Sequence, residues 1–106
     1  MELHADDRAL AFLSERNDLV WAIDYDVHRC CGGGRICEVV VRPHDAKRQR
    51  EDHVAAQLPN GTRFLVDPRA VRRLPHQVNL TVRGRRGHSR LDLALSGEEW
   101  GDLLYT

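Results

Sequence analysis

Apolar residues recur along this chain with two periods, and the change of period marks where the elements change. Over residues 5–16, Ala5, Ala9, Phe12 and Leu13 fall at i, i+4, i+7 and i+8, one stripe that predicts a short N-terminal helix. Asp6 and Asp7 suit the positive end of that helix, and Asn17-Asp18 end it. From residue 19 the period drops to two. Trp21, Ile23, Tyr25 and Val27 alternate with Ala22, Asp24 and Asp26, which predicts a strand over 19–27 with Asp24 and Asp26 exposed on the face away from the core. A second strand over 35–42 places Cys37, Val39 and Val41 on one side, and Pro43 closes it. The pair reads as a hairpin.

Residues 44–52 are polar and read as a surface loop. Residues 54–58 and 62–66 flank Pro59-Asn60-Gly61, where Asn-Gly is a strong hairpin turn. Asp67-Pro68 has the cap-then-proline form of a helix start, with Val71 and Leu74 on one face and Pro75 as the stop. Val78, Leu80 and Val82, the turn Gly84–Gly87, and Leu91, Leu93 and Leu95 make a third hairpin. Residues 97–106 read as a short acidic tail from which Trp100, Leu103 and Leu104 dock back. The expectation is a mainly β (α+β) chain forming one domain over 1–106, with its core at about 5–96.

The first hairpin carries the chemistry. Its tip reads Cys30-Cys31-Gly32-Gly33-Gly34. Glycine tolerates φ > 0 and close approach, so three glycines behind two thiols predict a shaped loop that presents sulfur. Were Cys30 and Cys31 to oxidise to each other, the ring would be strained and easily reduced, because consecutive Cα atoms sit 3.80 Å apart, below the usual disulfide span. That suits a redox couple better than a staple. His28 and Arg29 precede the pair, and a nearby cation raises the thiolate fraction. His28 and Cys30 share strand parity, and a soft ligand set of Cys30, Cys31, His28 and Cys37 suits zinc, copper(I), iron or an iron–sulfur cluster. Cys37 also shares parity with Val39 and Val41, which reads as core packing.

Composition removes several classes. The 106 residues are ordinary for a globular domain, with 42% hydrophobic and 30% charged residues. No apolar run suffices for a membrane span, and the acidic N-terminus does not read as a secretory signal. Three cysteines make no disulfide framework and suggest reduced thiols in the cytoplasm. Net charge is zero but uneven: residues 29–90 hold 14 basic and 5 acidic residues, a balance of +9, between acidic ends. Arg42, Lys47, Arg48 and Arg50, with Arg83, Arg85, Arg86 and Arg90, read as a solvated basic face. An interaction module using that face to meet a protein or nucleic acid is the alternative function, although no interleaved aromatics or nucleic-acid motif accompany it. No Ser/His/Asp arrangement or P-loop is present, so a classical enzyme is not expected.

The run Asp24-Tyr25-Asp26-Val27-His28-Arg29-Cys30-Cys31-Gly32-Gly33-Gly34, then Glu38-Val39-Val40-Val41, then Gly61-Thr62-Arg63-Phe64-Leu65-Val66-Asp67-Pro68, resembles the HesB/IscA-like family in order and character. These are the A-type iron–sulfur carriers and their relatives, and the doubled cysteine is closest to the small HesB-related CC/Se motif proteins. The resemblance covers roughly residues 5–96. It implies a β-sandwich of antiparallel hairpins with a short N-terminal helix, thiol redox or iron–sulfur chemistry, an iron–sulfur assembly or thiol-redox partner, and a homo-oligomer such as a dimer. The carriers' C-terminal Cys-Gly-Cys is replaced here by Gly97-Glu98-Glu99-Trp100-Gly101-Asp102, and no cysteine follows Cys37.

Overall fold

The computed structural model describes residues 1–16, 18–29, 35–45, 47–48, 50–84 and 87–104, with backbone alone at 28, 29, 35, 36 and 102–104. A strand absent from the sequence reading opens the chain: β1 (Glu2–Ala5) pairs in parallel with β6 (Gln77–Arg83), Leu3 opposite Val78. Four residues with one inward side chain, Leu3, carry too little periodicity to announce a strand; the partner supplies the ladder. Helix α1 (Asp7–Ser14) follows, shorter than expected because Asp6 is its cap, accepting from the Ala9 N–H at 2.8 Å. The other Asp6 oxygen accepts from Thr81 Oγ1 at 2.6 Å, which ties the cap to β6. Ala9 and Leu13 are the buried stripe.

Strands β2 (Trp21–Arg29) and β3 (Arg35–Pro43) form the first hairpin, paired without interruption from Trp21↔Pro43 to Arg29↔Arg35. Strands β4 (Val54–Gln57) and β5 (Arg63–Val66) form the second, around Gly61 at φ +94°. Strand β5 then joins β2 in parallel, with Trp21 opposite Phe64 and Ile23 opposite Val66, giving the order β3-β2-β5-β4. After α2 (Pro68–Arg73), capped by Asp67, the chain forms β6 and β7 (Arg90–Leu93). The second sheet is β1-β6-β7.

The inner faces of the two sheets share one core. Trp21, Ile23, Tyr25, Val39, Phe64 and Val66 come from one sheet, and Leu3, Val78, Leu80, Leu91 and Leu93 from the other. All three expected hairpins are antiparallel, and the two parallel pairings that join elements distant in sequence come from tertiary structure. The expected acidic tail is a helix, α3 (Gly97–Leu104). Ser96 Oγ accepts from the Glu99 N–H at 3.1 Å while Glu99 Oε1 accepts from the Ser96 N–H at 2.9 Å, a capping box visible in the sequence as Ser-x-x-Glu. Trp100 packs against the core from that helix.

Candidate functional site

The thiol loop and a charge network are both carried by β2. At the end of the hairpin the register runs Val27↔Cys37, His28↔Ile36, Arg29↔Arg35. Cys30, Cys31, Gly32, Gly33 and Gly34 make the connection between Arg29 and Arg35 and lie outside the described residues, as does the side chain of His28. Cys37 is described. It is a free thiol, 8% exposed, on the core side of β3 with Val39 and Val41. A hydrogen bond between Cys37 and the Tyr25 side chain, reinforced by burial, raises the pKa of the Tyr25 hydroxyl above its ordinary value. His28 and Cys37 occupy register positions of opposite parity, the second in the core. Among the described residues, no group of three or more histidine, cysteine, aspartate or glutamate side chains is arranged to hold a metal.

The opposite face of β2 was expected to leave Asp24 and Asp26 in solvent. Asp24 is instead 4% exposed. Alternation does turn it away from the core, but the connection between β3 and β4 folds over that face and buries it. Arg50, expected on a solvated basic face, lies at the centre of the cover, with 6% exposure. Its Nε and Nη2 donate to the two Asp24 oxygens at 3.0 and 2.9 Å, the two-pronged fork of a guanidinium on a carboxylate. Arg50 Nη1 donates to His44 Nδ1 at 2.9 Å and to the Asp45 carbonyl at 3.3 Å, pinning the connection to itself.

Other groups complete the network. His53 Nε2 lies 3.1 Å from Asp24 Oδ1, and its Nδ1 lies 2.9 Å from Asp52 Oδ1. Arg48 Nη1 donates to Asp24 Oδ2 and Asp26 Oδ1 at 3.2 and 3.3 Å. Arg42, on β3, donates through Nη2 to Asp26 Oδ2 at 2.7 Å. Burial opposes ionisation of Asp24, but hydrogen bonds from Arg50 and His53 and the charges of Arg50 and Arg42 outweigh it, and its pKa falls to about 2. The same Asp24 hydrogen bond holds the Arg50 pKa above its ordinary value despite burial.

A neighbouring pair closes the far wall. Burial opposes ionisation of Asp67 too, yet Arg69 donates to it from backbone N, Nε and Nη2 at 2.9, 3.1 and 2.8 Å, and its pKa is lowered. Arg69 Nη2 also donates to the Tyr25 carbonyl at 3.1 Å. The guanidinium carbons of Arg69 and Arg73 stand 5.0 and 4.9 Å from the Tyr25 ring centre, within cation–π range. The result is an open polar cleft of about 310 Å³ lined by Asp24, Asp26, Arg48, Arg50, His53 and Arg69, among others. Its carboxylates and guanidiniums neutralise one another, so the arrangement works as an ionic clamp fastening the connection to β2. Nothing in the local pattern signals it, since Asp24 and Arg50 are 26 residues apart.

No protein-family model and no curated protein matches the chain. The solved structures do contain a likeness. The fold resembles that of Escherichia coli SufA. That protein, described as involved in the biosynthesis of iron–sulfur clusters, aligns with a TM-score of 0.51 and 12% sequence identity over 87% of this chain and 78% of its own. At that identity the likeness is one of fold, and it agrees with the HesB/IscA-like β-sandwich expected from the sequence. The first hairpin forms one edge of the four-stranded sheet, and the charge network holds the outer face of that hairpin's first strand. Among the described residues, no helix is long and apolar enough to cross a membrane.

Proposed function

We propose that this chain is a small cytoplasmic thiol protein that uses its Cys30-Cys31-Gly32-Gly33-Gly34 loop for thiol redox or for binding a soft metal or iron–sulfur species. One observation carries the reading: the β2–β3 ladder holds its register through Arg29↔Arg35, so the sequence puts both thiols in the five residues that join the two paired strands. The likeness to SufA, a protein of iron–sulfur cluster biosynthesis, supports iron–sulfur chemistry as the wider setting. In redox work one thiolate attacks and its neighbour resolves, with His28 and Arg29 favouring the thiolate. In metal or cluster binding, Cys30 and Cys31 are the primary ligands and His28 is the further candidate for zinc, iron or a cluster, since Cys37 sits in the core on the opposite face of the hairpin. A homodimer supplies ligands from two copies, in place of the cysteines that the C-terminal segment lacks. A redox or iron–sulfur assembly partner completes the proposal.

The rival reading, a basic interaction face, loses much of its charge to internal pairing. Arg42, Arg48 and Arg50 are engaged by Asp24 and Asp26, and Arg83 by Asp92. The test is anaerobic purification with iron, zinc and acid-labile sulfide analysis, followed by thiol titration of oxidised and reduced protein. A brown sample containing iron and sulfide selects cluster binding, and a colourless one with two cycling thiols selects redox. Either property must vanish in Cys30→Ser/Cys31→Ser. A double variant that keeps its bound metal or cycling thiols refutes the proposal.

A further inference from the structure

Two histidines of the charge network face partners that leave no choice of proton. The His53 side chain is only 6% exposed, and both of its ring nitrogens meet carboxylates, Nε2 at 3.1 Å from Asp24 Oδ1 and Nδ1 at 2.9 Å from Asp52 Oδ1. An ionised carboxylate only accepts, and a neutral imidazole carries one N–H. Asp24, whose pKa is about 2, is ionised. Two short contacts to acceptors therefore require two N–H groups, and His53 is an imidazolium. His44 presents the reverse case. Its Nδ1 lies 2.9 Å from Arg50 Nη1, and a guanidinium only donates. That nitrogen must be bare, which puts the one ring proton of His44 on Nε2. Around His53 stand Asp24 and Asp26 from β2, Asp52, Arg48 and Arg50 from its own connection, and Asp67 with Arg69 where β5 meets α2. Arg42 of β3 reaches the same Asp24. Among the described residues, Arg50 is the one charged group in hydrogen-bond contact with the His44 side chain. The His44 backbone N–H donates to the Val20 carbonyl, just before β2, at 2.8 Å.

We infer that this cluster is a proton-reading switch, with His53 locked as the cation and His44 locked as the neutral base. Arg50 joins the two. Its Nε and Nη2 grip Asp24, which holds His53, while its Nη1 holds His44. A proton added to His44 Nδ1 sets one N–H against another and frees that residue from Arg50. A proton lost from His53 leaves a bare nitrogen facing a carboxylate, Asp24 or Asp52. Acid and base thus loosen the same cluster through different histidines, and its hydrogen bonds are complete only between the two limits. Asp24 keeps its charge across this whole range, so the histidines respond before the clamp itself titrates. The switch is independent of the thiol chemistry.

Heteronuclear NMR of the imidazole nitrogens in wild-type protein at about pH 7 reads the proton states directly. His53 is expected with both ring nitrogens protonated, and His44 with a bare Nδ1. A bare nitrogen on His53, or a proton on His44 Nδ1, overturns the assignment. Urea unfolding at about pH 5.5 and about pH 7.5 then measures the switch, as the ratio of the folding constant at the higher pH to that at the lower. An unfolded histidine titrates at about 6.5, so it is about ten parts protonated to one neutral at the lower pH and the reverse at the higher. Refusing the proton at His44 raises the ratio about tenfold, and retaining it at His53 lowers the ratio about tenfold. His44→Asn offers a side-chain oxygen that accepts without titrating, so its ratio falls about tenfold below wild type. His53→Gln keeps a donor and no titrating group, so its ratio rises about tenfold. General destabilisation does not produce opposite signs. A ratio within about twofold of wild type for either variant, or a shift of both in one direction, overturns the switch. The spectra need no substitution, so they decide the proton states even where a variant fails to fold.

Discussion

Replacing Asp24 by asparagine keeps the shape of the side chain and removes the one charge on which Arg42, Arg48, Arg50 and His53 converge. Two estimates bracket the cost. The fall of the Asp24 pKa from 3.8 to about 2 corresponds to about 2 kcal/mol of preference for the ionised form in the folded state. Breaking a buried ion pair by removing one partner costs about 3–5 kcal/mol, because the other charge stays buried; here Arg50 is only 6% exposed. The asparagine carbonyl retains one acceptor, and Asp26 still engages Arg42 and Arg48, so the expected loss at pH 7 is about 2–4 kcal/mol. Urea unfolding followed by tryptophan fluorescence (Trp21 and Trp100) and far-ultraviolet circular dichroism measures it. The sign of the pH dependence follows from the lowered pKa. Stability is fully present above the unfolded carboxyl pKa and is lost as pH falls from about 4 to about 2, a decline that Asp24→Asn reduces. Because the pair is buried, 0.5 M salt leaves the difference between wild type and variant largely intact. A variant within about 0.5 kcal/mol of wild type, with the same acid decline, would show that the clamp contributes nothing to stability.

Three further outcomes test the fold. Gly84 sits at φ +113°, where an added Cβ would lie 2.3 Å from the His88 carbonyl oxygen, whereas Gly87 at φ +87° has open space around it. Gly84→Ala should therefore cost well over the ~1–2 kcal/mol expected of Gly87→Ala in thermal unfolding, and equal melting temperatures for the two would refute the clash. Asp67→Ala removes both the α2 cap and the Arg69 anchor. It should lose about 1–2 kcal/mol in urea and speed amide hydrogen exchange in 68–73, and unchanged exchange there would count against the cap. Phe64 is fully buried between β2 and β4, and Phe64→Ala should cost about 3–5 kcal/mol by chemical denaturation; a loss below 1 kcal/mol would contradict its place in the core.

Much of the fold was legible one residue at a time. Strand alternation, the Asn60-Gly61 turn and the Asp67-Pro68 start are local signals, so three hairpins and two helices could be read without a partner in view. The thiol pair was legible for the same reason, as a short run of residue types with a particular chemistry. Ser96 and Glu99 were an equally local signal for α3. Strand β1 was not legible, because Leu3 alone carries its pattern and β6 must supply the hydrogen bonds. The burial of Asp24 was not legible either. Its place on β2 determines only which way it points, and whether water or Arg50 waits there depends on how the connection between β3 and β4 folds back over the sheet. The sequence by itself thus determined the hairpins and the chemical character of the loop. The tertiary structure alone decided the parallel joins and which arginines are consumed within the molecule, because ion pairs between distant residues leave no period along the chain.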